Sequence, residues 1–395
     1  MAPLHRFEDL FAARVRNPAP AMYGPAPTGN LISFTYGFAD PQLFPGEELL
    51  ASAAAVVSEN SDAALNYGPT APELRAQVAA RLRARGIAAE EPHVLITYGS
   101  SQALGLLPQV FVEPGDVVLI EGPSFLGAVR YFSDADAQLI TIPVDAEGLD
   151  VDALEEQLRA LGRRGVRPKF LYCIPTFQNP TGSTLSLERR RRLVALAAEH
   201  GLPVIDDDAY GELRFEGAPV PPLAALDSEG WVISLGTFSK ILAPGLRLGW
   251  VCARPEVIQR LEMLKVEGSS GPFLTRTVAH YSRNGQLDAH IVELNARYRH
   301  KRDLMLEAIK QHFPAGVRVR RPEGGFFVWC DLPEGQSATA LLEPAAQRGV
   351  TYLPGTRCFA NGQGDGSIRL AFSYLPDAQI LDGIARLGRV LSVEF

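Results

Sequence analysis

The chain has 395 residues, 46% hydrophobic and 21% charged, the balance of a globular protein too long for one ordinary core. Its net charge is −7 at pH 7 and it carries no long basic stripe, which argues against nucleic acid as a partner. Nowhere do 18 consecutive apolar residues occur, so no membrane-spanning helix is expected.

In chain order, the N-terminus MAPLHRFEDLFAARVRN carries Glu8 and Asp9 and lacks an apolar run, unlike a secretory signal. A cytoplasmic setting is the expectation. Prolines at 18, 20, 25, 27, 41 and 45 suit an extended arm over residues 1–45. From about 75 to 275, short apolar runs alternate with helical stretches. The runs are HVLIT (93–97), DVVLI (116–120), FLYCI (170–174), LPVID (202–206) and WVISL (231–235). SQALGLLPQVF, VDALEEQLRALG and LERRRRLVALAAEHG lie among the helical stretches. This alternation predicts an α/β domain over 46–275, with a mostly parallel sheet flanked by helices on both faces. Within it, the basic run Arg189–Arg192 reads as a solvated helix face. Past 275 comes one long helical stretch, then strand-like runs around Gly324-Gly325, a helix, a strand at SIRLAFS and a terminal helix. That pattern fits a smaller α+β domain over 276–395. The four cysteines form no C-x-x-C and read as free, mostly buried thiols.

Ligands in open α/β sheets sit beyond the carboxyl ends of the strands, so the residues just after each strand carry the information. Lysine occurs only at 169, 240, 265, 301 and 310. Lys240 follows WVISL, on a turn with Thr237 and Ser239, and Arg247 comes seven residues later. A lysine there can form a Schiff base with an aldehyde if its surroundings lower its pKa, while the hydroxyls and Arg247 could hold a phosphate. ITYGSSQALGLL places Ser100 and Ser101 at a helix start, where backbone N–H groups favour an anion. VIDDDAYGEL ends a strand in three acids. One buried carboxylate there could keep a pyridine nitrogen protonated, and Mg²⁺ ligation is the minor alternative. PTFQNPTG offers Asn179 on a turn, and Arg369 sits inside an apolar strand, where it must meet an anion.

Taken jointly, these residues resemble the aspartate-aminotransferase superfamily, pyridoxal-phosphate enzymes of fold type I (class I and II aminotransferases). The S-x-S-K-x-x-x-P-G-x-R-x-G pattern carries most of the likeness, with Thr237 in its first position. The similarity runs from ISFTYGFADPQLFP to IRLAFS and is greatest to the 2-aminoadipate/kynurenine aminotransferase branch. The resemblance implies a seven-stranded type of sheet and an arm packing with the small domain. It implies Lys240 as the imine lysine, and Ser100, Ser101, Thr237 and Arg247 on the phosphate of pyridoxal 5'-phosphate. Asp207 would face the ring nitrogen, Tyr210 and Asn179 the ring oxygen, and Phe125 would stack on the ring. Arg369 and Asn179, with Gly37 and Tyr36 beside them, would bind the substrate. Tyr67 would reach the phosphate of a neighbouring subunit, making the active unit a homodimer with shared sites. The implied reaction moves an amino group from an α-amino acid to a 2-oxo acid, with 2-oxoglutarate as the expected acceptor. A lyase on the same scaffold is the first alternative. An effector-binding regulator is the second, disfavoured because ISFTYGF already begins at residue 32. For a second substrate carboxylate, Arg14, Arg16 and Arg130 are candidate cations, whereas Tyr36 and Phe38 would favour an apolar side chain.

Overall fold

The computed structural model describes residues 7–11, 31–265 and 269–393. The first strand, β1 (Ile32–Ser33), belongs to the arm. The large domain is built on β2 (Val94–Thr97), β3 (Val117–Gly122), β4 (Gln138–Asp145), β5 (Gly148–Leu149), β6 (Leu171–Cys173), β7 (Val204–Asp207), β8 (Val232–Thr237) and β9 (Gly249–Cys252). They lie side by side in the order β2-β9-β8-β7-β6-β3-β4-β5. The pairs from β8 through β4 are parallel, and β9 runs antiparallel to both its neighbours. Seven strands make the expected sheet; the two-residue β5 adds an eighth by folding back on β4. Every residue of β2, β3, β6, β7, β8 and β9 is buried, which is why these strands read as continuous apolar runs rather than alternating ones.

The C-terminal third adds β10 (Arg318–Val319), β11 (Phe327–Asp331), β12 (Val350–Thr351), β13 (Leu353–Pro354) and β14 (Ser367–Ala371). Four of these form an antiparallel sheet in the order β10-β11-β14-β13, backed by helices Gln286–His312 and Asp377–Val393. The arm joins this region, not the large sheet: β1 pairs in parallel with β12.

Two sequence expectations change. The long helical stretch is two helices, Pro272–Tyr281 and Gln286–His312, because Asn284 and Gly285 take left-handed backbone angles (φ 58° and 75°) that no helix continues through. The basic run is not wholly solvated either. Arg189 and Arg192 do pair with surface acids, Asp145 for the first and Asp152 and Glu155 for the second. Arg190 is instead fully buried, donating to the carbonyls of Leu185, Pro221 and Pro175 and to Thr176 Oγ1. Neutral oxygens satisfy its guanidinium.

Candidate active site

A cavity of about 470 Å³ opens at the carboxyl ends of the large-domain strands, between the sheet, the arm and β14. It gathers Tyr36, Gly37, Ser100, Ser101, Phe125, Asn179, Asp207, Tyr210, Thr237, Lys240, Arg247 and Arg369. Of the residues singled out in the sequence, Tyr67 stays away: its side chain is fully exposed. Among the candidate distal cations, Arg130 lies on helix Leu126–Asp134 beside Asp134, outside the cavity lining. Arg14 and Arg16 lie outside the described residues.

Thr237 is the last residue of β8 rather than part of the turn, and its hydroxyl accepts the Ser239 N–H at 3.0 Å, shaping the bend that delivers Lys240. Lys240 Nζ donates to the Gly37 carbonyl at 2.9 Å. Burial, reinforced by the positive charges of Arg369 and Arg247, lowers its pKa to about 8, against the pull of Asp207. Free amine is therefore accessible near neutrality, the condition a lysine nucleophile needs.

Asp207 ends β7. Its Oδ2 accepts the Tyr172 hydroxyl at 2.6 Å, while Oδ1 is buried with no partner among the described residues. Burial raises this carboxyl to about 6; the Tyr172 hydrogen bond and Lys240 oppose the rise, and Asp208 adds to it. A buried carboxylate oxygen with nothing to accept from carries a desolvation cost, which an N–H donor in the cavity would offset. The adjacent Asp206 and Asp208 serve elsewhere. Asp208 pairs with Arg85 at 2.5 Å, and Asp206 alternates to the opposite face of the strand from Asp207. Among the described residues, no group of acids, histidines and cysteines forms a metal centre.

At the other end of the cavity, Ser100 and Ser101 open helix Gly99–Phe111. Gly99 has φ +71°, which favours glycine, and its bare Cα leaves room for the guanidinium, since a Cβ there would come within 2.9 Å of Arg247 Nη2. Among the described residues, no carboxylate pairs with Arg247; its Nη1 donates to the Pro244 carbonyl at 3.3 Å. Two hydroxyls, first-turn N–H groups and this arginine fit a phosphate dianion. Phe125 flanks the space between the two ends.

Arg369 lies across the cavity on β14. It donates through Nη1 to Asn179 Oδ1 at 2.7 Å and through Nη2 to the Thr35 carbonyl at 2.5 Å. Its guanidinium carbon sits 4.2 Å over the centre of the Phe327 ring. All three of these partners are uncharged. Sequence reasoning missed Phe327 and Tyr172. The first is reached through β11–β14 pairing, and the second depends on the parallel register of β6 with β7. A tyrosine in FLYCI, with nothing near it in sequence to take its hydroxyl, was the only hint of the latter.

Comparison with known proteins is consistent with this geometry. The family model for aminotransferase class I and II matches residues 42–387. The chain belongs to the class I and II aminotransferases. It is 41% identical over 372 residues to aromatic-amino-acid aminotransferase 1 of Thermococcus litoralis, covering 93% of this chain and 89% of that one. The crystal structure of a multiple substrate aminotransferase from Thermococcus profundus superposes with a TM-score of 0.92 at 38% identity, covering 99% of both chains. LysN, the α-aminoadipate aminotransferase of Thermus thermophilus, was crystallised with N-(5'-phosphopyridoxyl)-L-leucine. It matches at TM-score 0.86 and 40% identity, over 92% of each chain. As an aminotransferase of this family the chain is a pyridoxal-phosphate-dependent transaminase, and the cavity has the residues to hold that cofactor.

Proposed function

We propose that this aminotransferase accepts a broad set of α-amino acids, including those with large apolar side chains, and returns the amino group to 2-oxoglutarate. The observation that carries the first part is the wall beside Arg369: Tyr36 and Phe38 stack with ring centroids 5.1 Å apart, and Leu353 and Phe327 line the same side. An aromatic or aliphatic side chain entering there loses water at little polar cost.

In this reading Lys240 holds the aldehyde carbon of pyridoxal phosphate, and Ser100, Ser101, Thr237 and Arg247 hold its phosphate. Asp207 would hold the ring nitrogen, Asn179 and Tyr210 the ring oxygen, and Phe125 would cover the ring. Bound pyridoxal phosphate supplies a carbonyl for the substrate amine and a ring that takes up the electrons left when the α-proton departs. Arg369 receives the substrate carboxylate through its planar fork, with Asn179 and the Gly37 backbone beside it. Lys240 Nζ, set free once the substrate amine takes its place on the aldehyde carbon and with its pKa lowered to about 8, would take the α-proton and deliver it to that carbon, acting as a general base and then as an acid. The Tyr172 hydroxyl holds Asp207 through Oδ2 and leaves Oδ1 without a partner among the described residues, open to a donor.

The proposal extends to assembly and setting. Tyr67, fully exposed beside the exposed Leu65, is available to complete the phosphate site of a second subunit, making a homodimer. Four free, buried cysteines suit the reducing cytoplasm. The arm 1–45, the cofactor domain 46–275 and the small domain 276–395 are the working units, and the pairing of β1 with β12 supports grouping the arm with the last.

The test is steady-state turnover of the holoenzyme with phenylalanine, leucine, 2-aminoadipate, alanine and S-benzylcysteine as donors, each with 2-oxoglutarate, pyruvate or no acceptor. Turnover of the apolar donors that requires 2-oxoglutarate is expected. Ammonia or thiol release without any acceptor would identify a lyase and overturn the reading.

A further inference from the structure

The wall formed by Thr35, Tyr36, Gly37 and Phe38 is held by groups from the far end of the chain. Ile32 N–H donates to the Gly349 carbonyl, Phe34 N–H to the Thr351 carbonyl, and Ala371 N–H to the Phe34 carbonyl, each at 2.9 Å. Ser373 Oγ donates to the Phe38 carbonyl at 2.6 Å. The segment then ends at Asp40, which is tied on three sides. Its Oδ1 accepts the Gln42 N–H at 3.0 Å, its own N–H donates to the Tyr298 hydroxyl at 3.1 Å, and its Oδ2 accepts Lys301 Nζ at 2.5 Å. Lys301 Nζ also donates to the Ser373 carbonyl at 2.9 Å.

Lys301 is completely buried and Asp40 nearly so, at 3% exposure. Such a pair is a poor source of stability, because removing two charges from water costs about as much as their attraction returns, and apolar residues of similar volume would fill the space as well. An ion pair does provide direction. It fixes one distance and one angle between the segment and helix Gln286–His312, and through Ser373 it ties both to the strand that carries Arg369. Burial pulls the Lys301 pKa down, and the Asp40 carboxylate opposes that pull.

We infer that Lys301, Asp40 and Ser373 form a positioning knot that sets the Tyr36–Phe38 wall against Arg369 and so determines which substrate side chains the site accepts. None of the three lines the cavity. They act through the wall, and the cofactor residues on the large sheet meet that wall where Lys240 Nζ donates to the Gly37 carbonyl. The inference rests on reading the cavity as the amino-acid site.

The test uses the full-length holoenzyme and three variants. Lys301→Met leaves a buried carboxylate without its partner, Lys301→Met/Asp40→Asn removes both charges, and Ser373→Ala deletes one hydrogen bond at minimal cost in packing. For each, the absorbance of the bound cofactor, Tm, and kcat and KM for phenylalanine and for alanine are measured. The double variant is expected to keep the cofactor spectrum and its kcat with alanine. Its preference for phenylalanine over alanine in kcat/KM should fall roughly fivefold or more, mainly through KM. Ser373→Ala should shift the same ratio in the same direction by a smaller factor, which keeps the test decisive if the charge variants fail to fold. An unchanged ratio in Ser373→Ala, or in a folded double variant, overturns the inference, as does loss of the cofactor spectrum in either. Failure of the underlying reading is distinct: wild-type enzyme would then transaminate neither amino acid.

Discussion

Replacing Arg369 with lysine keeps the charge and removes the fork. In the structure the guanidinium uses Nη1 on Asn179 and Nη2 on Thr35 while stacking 4.2 Å over Phe327, so its plane is fixed from three directions. A substrate carboxylate arriving there meets a donor pair already in place. Lysine presents one ammonium on a shorter effective reach and cannot match both carboxylate oxygens. Loss of one charge-assisted hydrogen bond is worth about 1.5–3 kcal/mol, which predicts a fall in kcat/KM for the amino acid of roughly 10- to 150-fold. The control is a ligand of the same shape without the carboxylate. Inhibition constants for 3-phenylpropanoate and for phenethylamine should diverge: the acid weakens by a similar factor in Arg369→Lys, while the amine is nearly unaffected. If acid and amine weaken equally, or if the amino acid keeps its wild-type kcat/KM, Arg369 is not the carboxylate receptor.

Two further outcomes follow from buried titrating groups. Borohydride reduction of the holoenzyme, followed by peptide mass analysis, should place the cofactor on Lys240 and on none of the other four lysines; label on any other residue would refute the assignment. Glu121, buried at the end of β3, is raised by burial from the ordinary 4.5 to about 8, while Gln178 and the Ile174 N–H pull the other way. The folded state then holds a proton the unfolded chain releases. This contribution to stability is complete below the ordinary carboxylate range and is lost as pH rises through about 8. Wild-type Tm should thus decline from about pH 5 to pH 8, and Glu121→Gln should show a shallower decline, because one of the three raised carboxyls, the others being Asp206 and Asp207, no longer titrates there. Parallel Tm profiles would refute the protonated Glu121.

Much of the cavity was legible because strand ends bring distant residues together. The turn after WVISL, the acids closing LPVID and the asparagine after FLYCI are local features, and one parallel sheet aligns all three. What could not be read depends on how elements pack. Tyr172 reaches Asp207 only because β6 and β7 pair in one particular register, and Phe327 supports Arg369 only through β11–β14 pairing across about 40 residues of chain. Charge misled in the same way. Arg190 and Lys301 stand among other polar residues in sequence, Arg190 within a run of arginines and Lys301 in RHKRD, where a solvated face is the default expectation, yet both are fully buried. Burial is decided by the partner surface, and the sequence around a lysine does not name that partner. The two cases also differ in consequence. Arg190 is satisfied by carbonyls of the segment that carries Asn179, so it bears on a part of the site already visible in the motif. Lys301 reaches Asp40, 261 residues away, and there a buried charge anchors a wall whose residues could be named from the sequence but whose anchor could not. The residues proposed to bind the cofactor are thus the ones written locally, and those inferred to choose the substrate depend on contacts between the two ends of the chain.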